Sequence, residues 1–454
     1  MNILSDFSGW ISQDDFFVGK GQCIFQQGID TINFPSELRL MPQVNYESAG
    51  VWEWCTSIFS PEWDYIWYGA EDWKVKDWTT DAVKMDTLDT RDVTDWILFR
   101  GNFYIFSNLY VYKTTYSSGT LSALSTFHTH SSAYEYCHPV DYQWILLFFW
   151  SWKTIKYTDS TWVLQTLDII NKTIRWLSIS GNYLRVYTED SIALVDVGTK
   201  TVSYSQSLPF VPNGVTTDGI IDYVTTDTDE LYICSGLEWR KLAGKTDSNT
   251  LGNYATSDTK FTFKGSTWPK GTAFASGKLY AIERTSGRVL MYGSKMQWLP
   301  QQFQYLPAHD ASTTWWVDIY PIESPVTVYA KNNTVYYSYT TDWGNRRWQI
   351  DFSYTVWGTC YEGIYIAPPT DFGDFSIIKS IDEIRIGKVG TAGELWCSID
   401  WANFELVGNL DQTDIEQKFI SYKKDFREIS FMIKLYSSAD RFKNLDLRYN
   451  TRQV

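Results

Sequence analysis

Three of the four histidines in this 454-residue sequence fall close together, at His128, His130 and His138, with Cys137 beside the last. His128 and His130 are two apart, so on a strand both side chains would leave the same face. A third ligand from the next strand could then complete a zinc or nickel site. No fourth ligand stands at a characteristic spacing, and the segment is rich in Ser and Thr. The favoured expectation is a polar loop with exposed histidines and no bound metal. Other chemistry is sparse: the sequence shows no phosphate-binding glycine loop, no serine nucleophile elbow and no Cys/His dyad in a recognisable local context. Carboxylates are so abundant that a pair of them indicates nothing. Arg175, Arg185, Arg240 and Arg284 are scattered, not gathered to hold a substrate carboxylate. The expectation is a chain without catalytic, cofactor-binding or metal residues, and not an enzyme.

The elements that would position any site recur along the chain. Gly181-Asn182-Tyr183-Leu184, Asp229-Glu230-Leu231-Tyr232 and Gly277-Lys278-Leu279-Tyr280 each place a polar turn before a β-branched or aromatic run. Their last residues stand at 184, 232 and 280, two equal steps of 48. A unit of four short strands takes about 40–50 residues, the size of one β-propeller blade. Upstream, Gly101-Asn102-Phe103-Tyr104 opens the run to Tyr112, and Trp144 to Trp152 fills the space before Gly181. Downstream, Asn332-Asn333-Thr334-Val335-Tyr336 opens another run after an insertion, and an earlier hairpin lies near Asp64-Tyr65-Ile66-Trp67. Five to seven blades fit, and about six are expected. The bland alternative is chance, because a turn followed by an aromatic strand recurs in any all-β protein.

Composition agrees with strands. Aromatic residues make up 17% of the chain, with 23 Trp and 31 Tyr, and many alternate, as in Trp52-Glu53-Trp54 and Tyr110-Val111-Tyr112. Helices should be short and few. Most of the Trp and Tyr are expected to fill wedges between blades, though exposed ones could stack on sugars. The net charge of −14 argues against a surface built to grip phosphates, and suits either solubility or a conduit along which DNA slides. The acidic series Asp77, Asp81, Asp86, Asp89, Asp92 and Asp95 reads as a solvated loop. Cysteines at 23, 55, 137, 234, 360 and 397 form neither a zinc knuckle nor a dense disulfide framework. The first fifteen residues have no secretory-signal pattern, and the apolar run Ile145 to Trp150 is far too short to cross a bilayer, so folding in a reducing cytoplasm is expected.

Three regions are expected: an N-terminal arm at 1–50 that enters the propeller or closes its ring on a late blade, propeller blades at 51–369, and C-terminal strands at 370–454. The last region reads as strands at Ser380–Ile386, Glu394–Ile399, Phe404–Val407, Phe419–Tyr422, Ile429–Leu435 and Leu445–Tyr449, forming a last blade with closing strands or a small β-sandwich. The closing blade is preferred. Long loops are expected at 114–139 and 244–267, where interactions would concentrate.

Two resemblances accompany this reading. Thr340-Thr341-Asp342-Trp343-Gly344-Asn345-Arg346-Arg347-Trp348 resembles the Asp-box of sialidase-like propellers, with one residue inserted before the Trp; Asp159 and Asp400 sit in weaker echoes. In that family the Asp ties off a hairpin turn away from the catalytic centre. Asp6-Phe7-Ser8-Gly9, then Gly28-Ile29-Asp30 and Pro35-Ser36-Glu37-Leu38-Arg39-Leu40-Met41-Pro42, resemble the openings of structural proteins of tailed bacteriophages. This second resemblance covers about fifty residues. It implies a tail nozzle, hub or stopper protein with a propeller body, in the virion after assembly in the host cytoplasm. It also implies a homo-oligomeric ring, hexameric by likeness, that meets a portal or adaptor and other tail proteins. Genomic DNA would pass through without sequence-specific binding, and neither a membrane nor a cofactor would be involved. The alternative is a carbohydrate-binding or carbohydrate-cleaving propeller acting in host adsorption.

Overall fold

The computed structural model describes residues 2–4, 23, 25–42, 44–48, 55–62, 65–70, 74–85, 93–117, 120–130, 136–159, 161, 163–243, 263, 270–283, 288–293, 302–307, 324–341, 344–353, 362–373, 375–400, 402–413, 415–437 and 439–452. Every regular element among them is a β-strand. No helix among the described residues is long and apolar enough to cross a membrane.

From residue 55 to 351 the strands follow one plan: four consecutive antiparallel strands, each paired with the next. Seven such units can be traced among the described residues, at 55–85, 93–129, 140–167, 174–207, 212–243, 272–305 and 324–351. The seventh takes its fourth strand from the N-terminal region, where Val44–Ser48 pairs with Gly344–Asp351. From the third unit to the seventh the first strands lie side by side, as do those of the first and second, and Ser324–Lys331 of the seventh returns to Cys55–Glu62 of the first. This is the architecture of a β-propeller.

Burial within a unit explains the sequence pattern. Second strands are packed on both faces by neighbouring units, so Leu146–Ser151 is buried throughout and reads as an unbroken apolar run, Leu-Leu-Phe-Phe-Trp. The fourth strand of the fourth unit lies at the rim: Val202–Ser207 is exposed at every residue and is Ser-rich. Aromatic wedges fill the gaps between units. Phe59 of the first stacks on Trp96 of the second, with ring centroids 3.3 Å apart. Trp78 of the first meets Tyr336 of the seventh edge-on at 5.5 Å.

The cassettes spaced by 48 are not equivalent. Gly181 and Gly277 sit in turns between first and second strands, whereas Asp229 sits between a second and a third. The turn of the fifth unit that matches Gly181 holds Gly219. From 181 to 219 to 277 the true steps are 38 and then 58, because additional chain lies between the fifth and sixth units. The shared demand is conformational: Gly101, Gly181, Gly219 and Gly277 all have positive φ, as do Trp144 and Asn332 in the corresponding turns of other units.

The segment 114–139 is not simply a loop: among its described residues, Thr120–Leu121 and Ser125–Thr129 both pair with Tyr110–Ser117. Of 244–267, only Phe263 is described; it is buried and its amide donates to the Asp229 carbonyl at 2.9 Å.

Five of the six expected C-terminal strands are present, the remaining one lies at Glu416–Phe419 instead of Phe419–Tyr422, and the six build two sheets. Gly363–Ile366, Ile429–Leu435, Gly393–Ile399 and Glu405–Asn409 continue the sheet of the sixth unit through Phe25–Gln27, giving nine strands. Arg441–Arg452 and Ile378–Val389 are the centre of the second sheet, which also takes in Asn2–Leu4 and Leu38–Arg39. Ile384, Ile386, Leu445 and Leu447 of the second sheet share a core with Leu395, Phe431 and Ile433 of the first. Two sheets over one core are a sandwich arrangement, not a further four-strand meander. Residues 376–454 hold equal numbers of basic and acidic side chains, so the whole net charge of −14 falls on residues 1–375.

Candidate functional site: the central cavity

The first strands of the seven units surround a cavity of about 810 Å³. At the end where these strands begin, three side chains from distant parts of the sequence meet. Asp95, third residue of Val93–Phe99, accepts a hydrogen bond at 2.9 Å from Nδ1 of His138, and the Lys270 ammonium also closes on its Oδ2. Asp95 belongs to the second unit, His138 immediately precedes the third, and Lys270 precedes the sixth, so the lysine reaches across between non-neighbouring units. The lysine is held from behind: its carbonyl accepts from Thr327 Oγ1 at 3.0 Å and from the Val328 amide at 3.2 Å.

Burial alone would raise the Asp95 carboxyl, but the Lys270 charge and the His138 hydrogen bond outweigh it and hold the group at about 2. A carboxylate so stabilised is a poor proton acceptor near neutral pH. The ring of His138 lies against Trp176, centroids 4.2 Å apart. Asp95 is therefore not part of a solvated acidic loop. Asp81, from the same series, pairs with Arg347 at 2.6 Å and accepts from the Tyr68 hydroxyl, while Asp77 ties a turn by accepting from the amides of Thr79 and Thr80. Asp86, Asp89 and Asp92 lie outside the described residues.

At the opposite end, the turns after the first strands are joined from unit to unit. Arg100 Nε donates to the Trp144 carbonyl at 2.5 Å, Tyr142 to Asn182 Oδ1 at 3.1 Å, Arg185 Nη2 to the Ile220 carbonyl at 2.5 Å, and Ser276 to the Asn332 carbonyl at 2.6 Å. Deeper between the fourth and fifth units lies a buried ion pair. Asp222 is fully buried, with Oδ2 accepting from Ser178 Oγ at 2.5 Å and Tyr187 Oη at 2.7 Å, and Oδ1 lies 2.9 Å from Arg185 Nη1. That last contact is an ion pair without hydrogen-bond alignment. Arg185 is thus a packing element between units. Arg175 is an exposed partner of Glu189 at 3.4 Å, Arg240 lies on the rim strand Glu238–Ala243, and Arg284 lies outside the described residues.

The histidines are not an exposed loop cluster. His128 is the penultimate residue of the paired strand Ser125–Thr129, His130 is buried with Nε2 3.3 Å from Cys137 Sγ, and His138 is buried on the cavity wall. Cys137 itself is fully buried. Among the described residues no group of three or more His, Cys, Asp or Glu side chains is placed to hold a metal ion.

The Asp-box hairpin is formed by Thr334–Thr341 and Gly344–Asp351, but Asp342 and Trp343 lie outside the described residues. The weaker echo at Asp159 shows the expected bond: its Oδ1 accepts from the amide and hydroxyl of Thr161 at 2.7 and 2.6 Å. Asp400 ties the end of Gly393–Ile399 to the amides of Arg427 and Glu428, within the C-terminal sheets instead of a blade.

Lys270 escaped the sequence reading and Asp95 entered it only as one of an acidic series, because the two are 175 positions apart and neither stands in a motif; the one available signal was that each lies near the start of a first strand. No family model and no curated protein matches the chain. Among solved structures it is similar to a chain of the mitotic checkpoint complex, at 10% identity over 69% of this chain and 92% of that one, with a TM-score of 0.44. It is also similar to the WD40 domain of Neurospora crassa Pan2, at 10% identity over 66% of this chain and 90% of that one, with a TM-score of 0.42.

Proposed function

We propose that this chain is a structural protein of a bacteriophage tail, of nozzle, hub or stopper type, in which a closed ring of seven blades and a C-terminal sandwich act as one stiff body. The observation that carries this reading is the path of the N-terminal region. Its strands are distributed over three sheets: Val44–Ser48 closes the seventh unit, Phe25–Gln27 joins the sixth unit to the sandwich, and Asn2–Leu4 and Leu38–Arg39 edge the second C-terminal sheet. Pulling the propeller from the sandwich would therefore break paired strands, not stretch a linker, which suits a part that bears the pressure of packaged DNA. In this reading the N-terminal arm is a clasp.

The acidic residues of 1–375 would keep DNA from adhering as it passes through an oligomeric ring next to a portal or adaptor. The channel for DNA would lie between subunits, because the propeller cavity is crossed by Lys270. The cavity's principal ion cluster is used up internally, which favours mechanical work over catalysis. Negative-stain electron microscopy and mass photometry of the purified full chain test this. Six-fold rings are expected, and a 52.7-kDa monomer at every concentration would overturn it. Host adsorption through carbohydrate is the second reading, favoured by the exposed Trp144, Trp152, Tyr204 and Trp239.

A further inference from the structure

The propeller end that carries the turns after the first strands is apolar on one side only. Trp144 and Ile145 stand in that turn of the third unit, Tyr183 follows it in the fourth, and Ile220 lies in it in the fifth. They are 52%, 48%, 39% and 70% exposed. The corresponding turns of the second, sixth and seventh units hold Arg100-Gly101, Ser276-Gly277 and Asn332-Asn333, with no apolar residue. The Tyr142–Asn182 hydrogen bond and the Arg185 bond to the Ile220 carbonyl tie the three apolar turns together, so their side chains share one fixed stretch of surface. Single exposed apolar residues are ordinary, whereas a group held on a common frame marks a place where another molecule packs. Asp141, Trp144 and Gly219 also line the central cavity, so this surface borders its mouth.

Charge decides what packs there. At this end the third to fifth units place Asp141, Asp159, Asp196 and Asp218. Hydrogen bonds from Thr161 and from the Thr199 amide hold Asp159 and Asp196 below the ordinary carboxylate range, so both are ionised near neutral pH. Burial raises Asp141, outweighing the Trp144 amide and the nearby Arg100 charge, and a cation brought to the mouth would relieve that burial cost. The neighbouring bases are already engaged: Arg100 Nε donates to the Trp144 carbonyl, and the Lys200 ammonium lies over the Tyr157 ring, 5.3 Å from its centroid. Deeper in the cavity Lys270 is spent on Asp95. A second copy of this same face would bring carboxylates against carboxylates.

We propose that this surface docks a loop of another protein that presents one lysine or arginine between apolar residues. The cation enters the cavity mouth beside Asp141, and its apolar neighbours cover Trp144, Ile145 and Ile220. The surface is complete within one subunit, so it stands whether or not the chain assembles into a ring.

The test uses capped peptides of sequence Gly-Leu-Ser-Leu-X-Leu-Ser-Leu-Gly, with Arg, Gln or Glu at X, titrated into the full-length protein by calorimetry. The expected result is saturable binding of the Arg peptide, weaker binding of the Gln peptide and the weakest of the Glu peptide, with the Arg preference shrinking as salt rises. Ile220→Ser should weaken the Arg peptide about fivefold or more. Asp141→Asn should shrink the preference for Arg over Gln. Asn keeps an acceptor for the Trp144 amide and Ile220 is largely exposed, so both variants should fold. Ile415→Ser is the control: Ile415 is 73% exposed, immediately before Glu416–Phe419 of the second C-terminal sheet, and its loss should change nothing. Absence of saturable binding by the unaltered protein would overturn the proposal. So would equal affinity for the three peptides, or equal effects of Ile220→Ser and Ile415→Ser. Light scattering on the same proteins covers the remaining occupant: self-association abolished by Ile220→Ser would assign the surface to a second copy and overturn the proposal.

Discussion

Replacing Asp222 by Ala should be among the most damaging single changes between the units. The carboxylate is fully buried between the fourth and fifth units, and Arg185 beside it is 1% exposed. Removing the carboxylate strands the guanidinium, which keeps its hydrogen bond to the Ile220 carbonyl, and deprives Ser178 and Tyr187 of their acceptor. Tyr187 cannot compensate by ionising, because burial, the largest cause holding its phenol well above the ordinary value, persists when the carboxylate is gone. Breaking one partner of a buried pair costs about 3–5 kcal/mol. Against a net stability of about 5–15 kcal/mol, that is a large fraction. Most of the cost is the uncompensated charge, so Arg185→Met combined with Asp222→Leu should recover most of the stability lost in Asp222→Ala. Equilibrium urea unfolding followed by tryptophan fluorescence measures both, with a double-mutant cycle to extract the coupling. A loss below about 1 kcal/mol for Asp222→Ala would refute the argument from burial. A double variant less stable than Asp222→Ala would refute the attribution to stranded charge.

Two further outcomes are expected. Asp95 has a folded value of about 2 against an ordinary 3.8, so its contribution is complete above the unfolded value and is lost as pH falls from about 4 toward 2. The difference is worth about 2 kcal/mol, and Lys270→Met should remove most of this acid-side slope in a stability-against-pH series; an unchanged slope would show that Lys270 is not what holds the carboxylate. Gly390 has φ of +92°, and an added Cβ would come within 2.8 Å of the Asp440 Cα and 2.2 Å of its Oδ1. Gly390→Ala should therefore destabilise by about 1–3 kcal/mol, read as a fall in the urea midpoint, with no change expected if the turn can reshape freely.

Much of the secondary structure is legible locally. Five of the six C-terminal strands, the hairpin near Tyr65 and the short third unit around Trp144 to Trp152 stand where alternation and turn residues put them, whereas the strand expected at Phe419–Tyr422 lies at Glu416–Phe419. The 48-residue step shows how local evidence can mislead while pointing the right way. Asp229-Glu230-Leu231-Tyr232 has the same composition as the two cassettes beside it, since any tight turn entering a buried strand needs a polar corner and an apolar start. Its place as a second-to-third turn is set by pairing with Glu238–Ala243, which composition does not encode. The histidines failed for a related reason. A Ser/Thr-rich segment with little alternation reads as loop, but Ser125–Thr129 is held as a strand by its ladder to Tyr110–Ser117.

By itself, then, the sequence determined that this protein is all-β, where its turns fall, and that most of its aromatic residues would be interior, because period-2 patterning and turn chemistry act over a few residues. Tertiary structure alone decided which strands share a sheet, that the N-terminal strands clasp three of those sheets, and that Asp95, His138 and Lys270 meet across a cavity. Those outcomes depend on contacts between residues up to hundreds of positions apart. Their selection comes from burying complementary faces together, a property of the assembled surfaces that no short stretch of sequence carries.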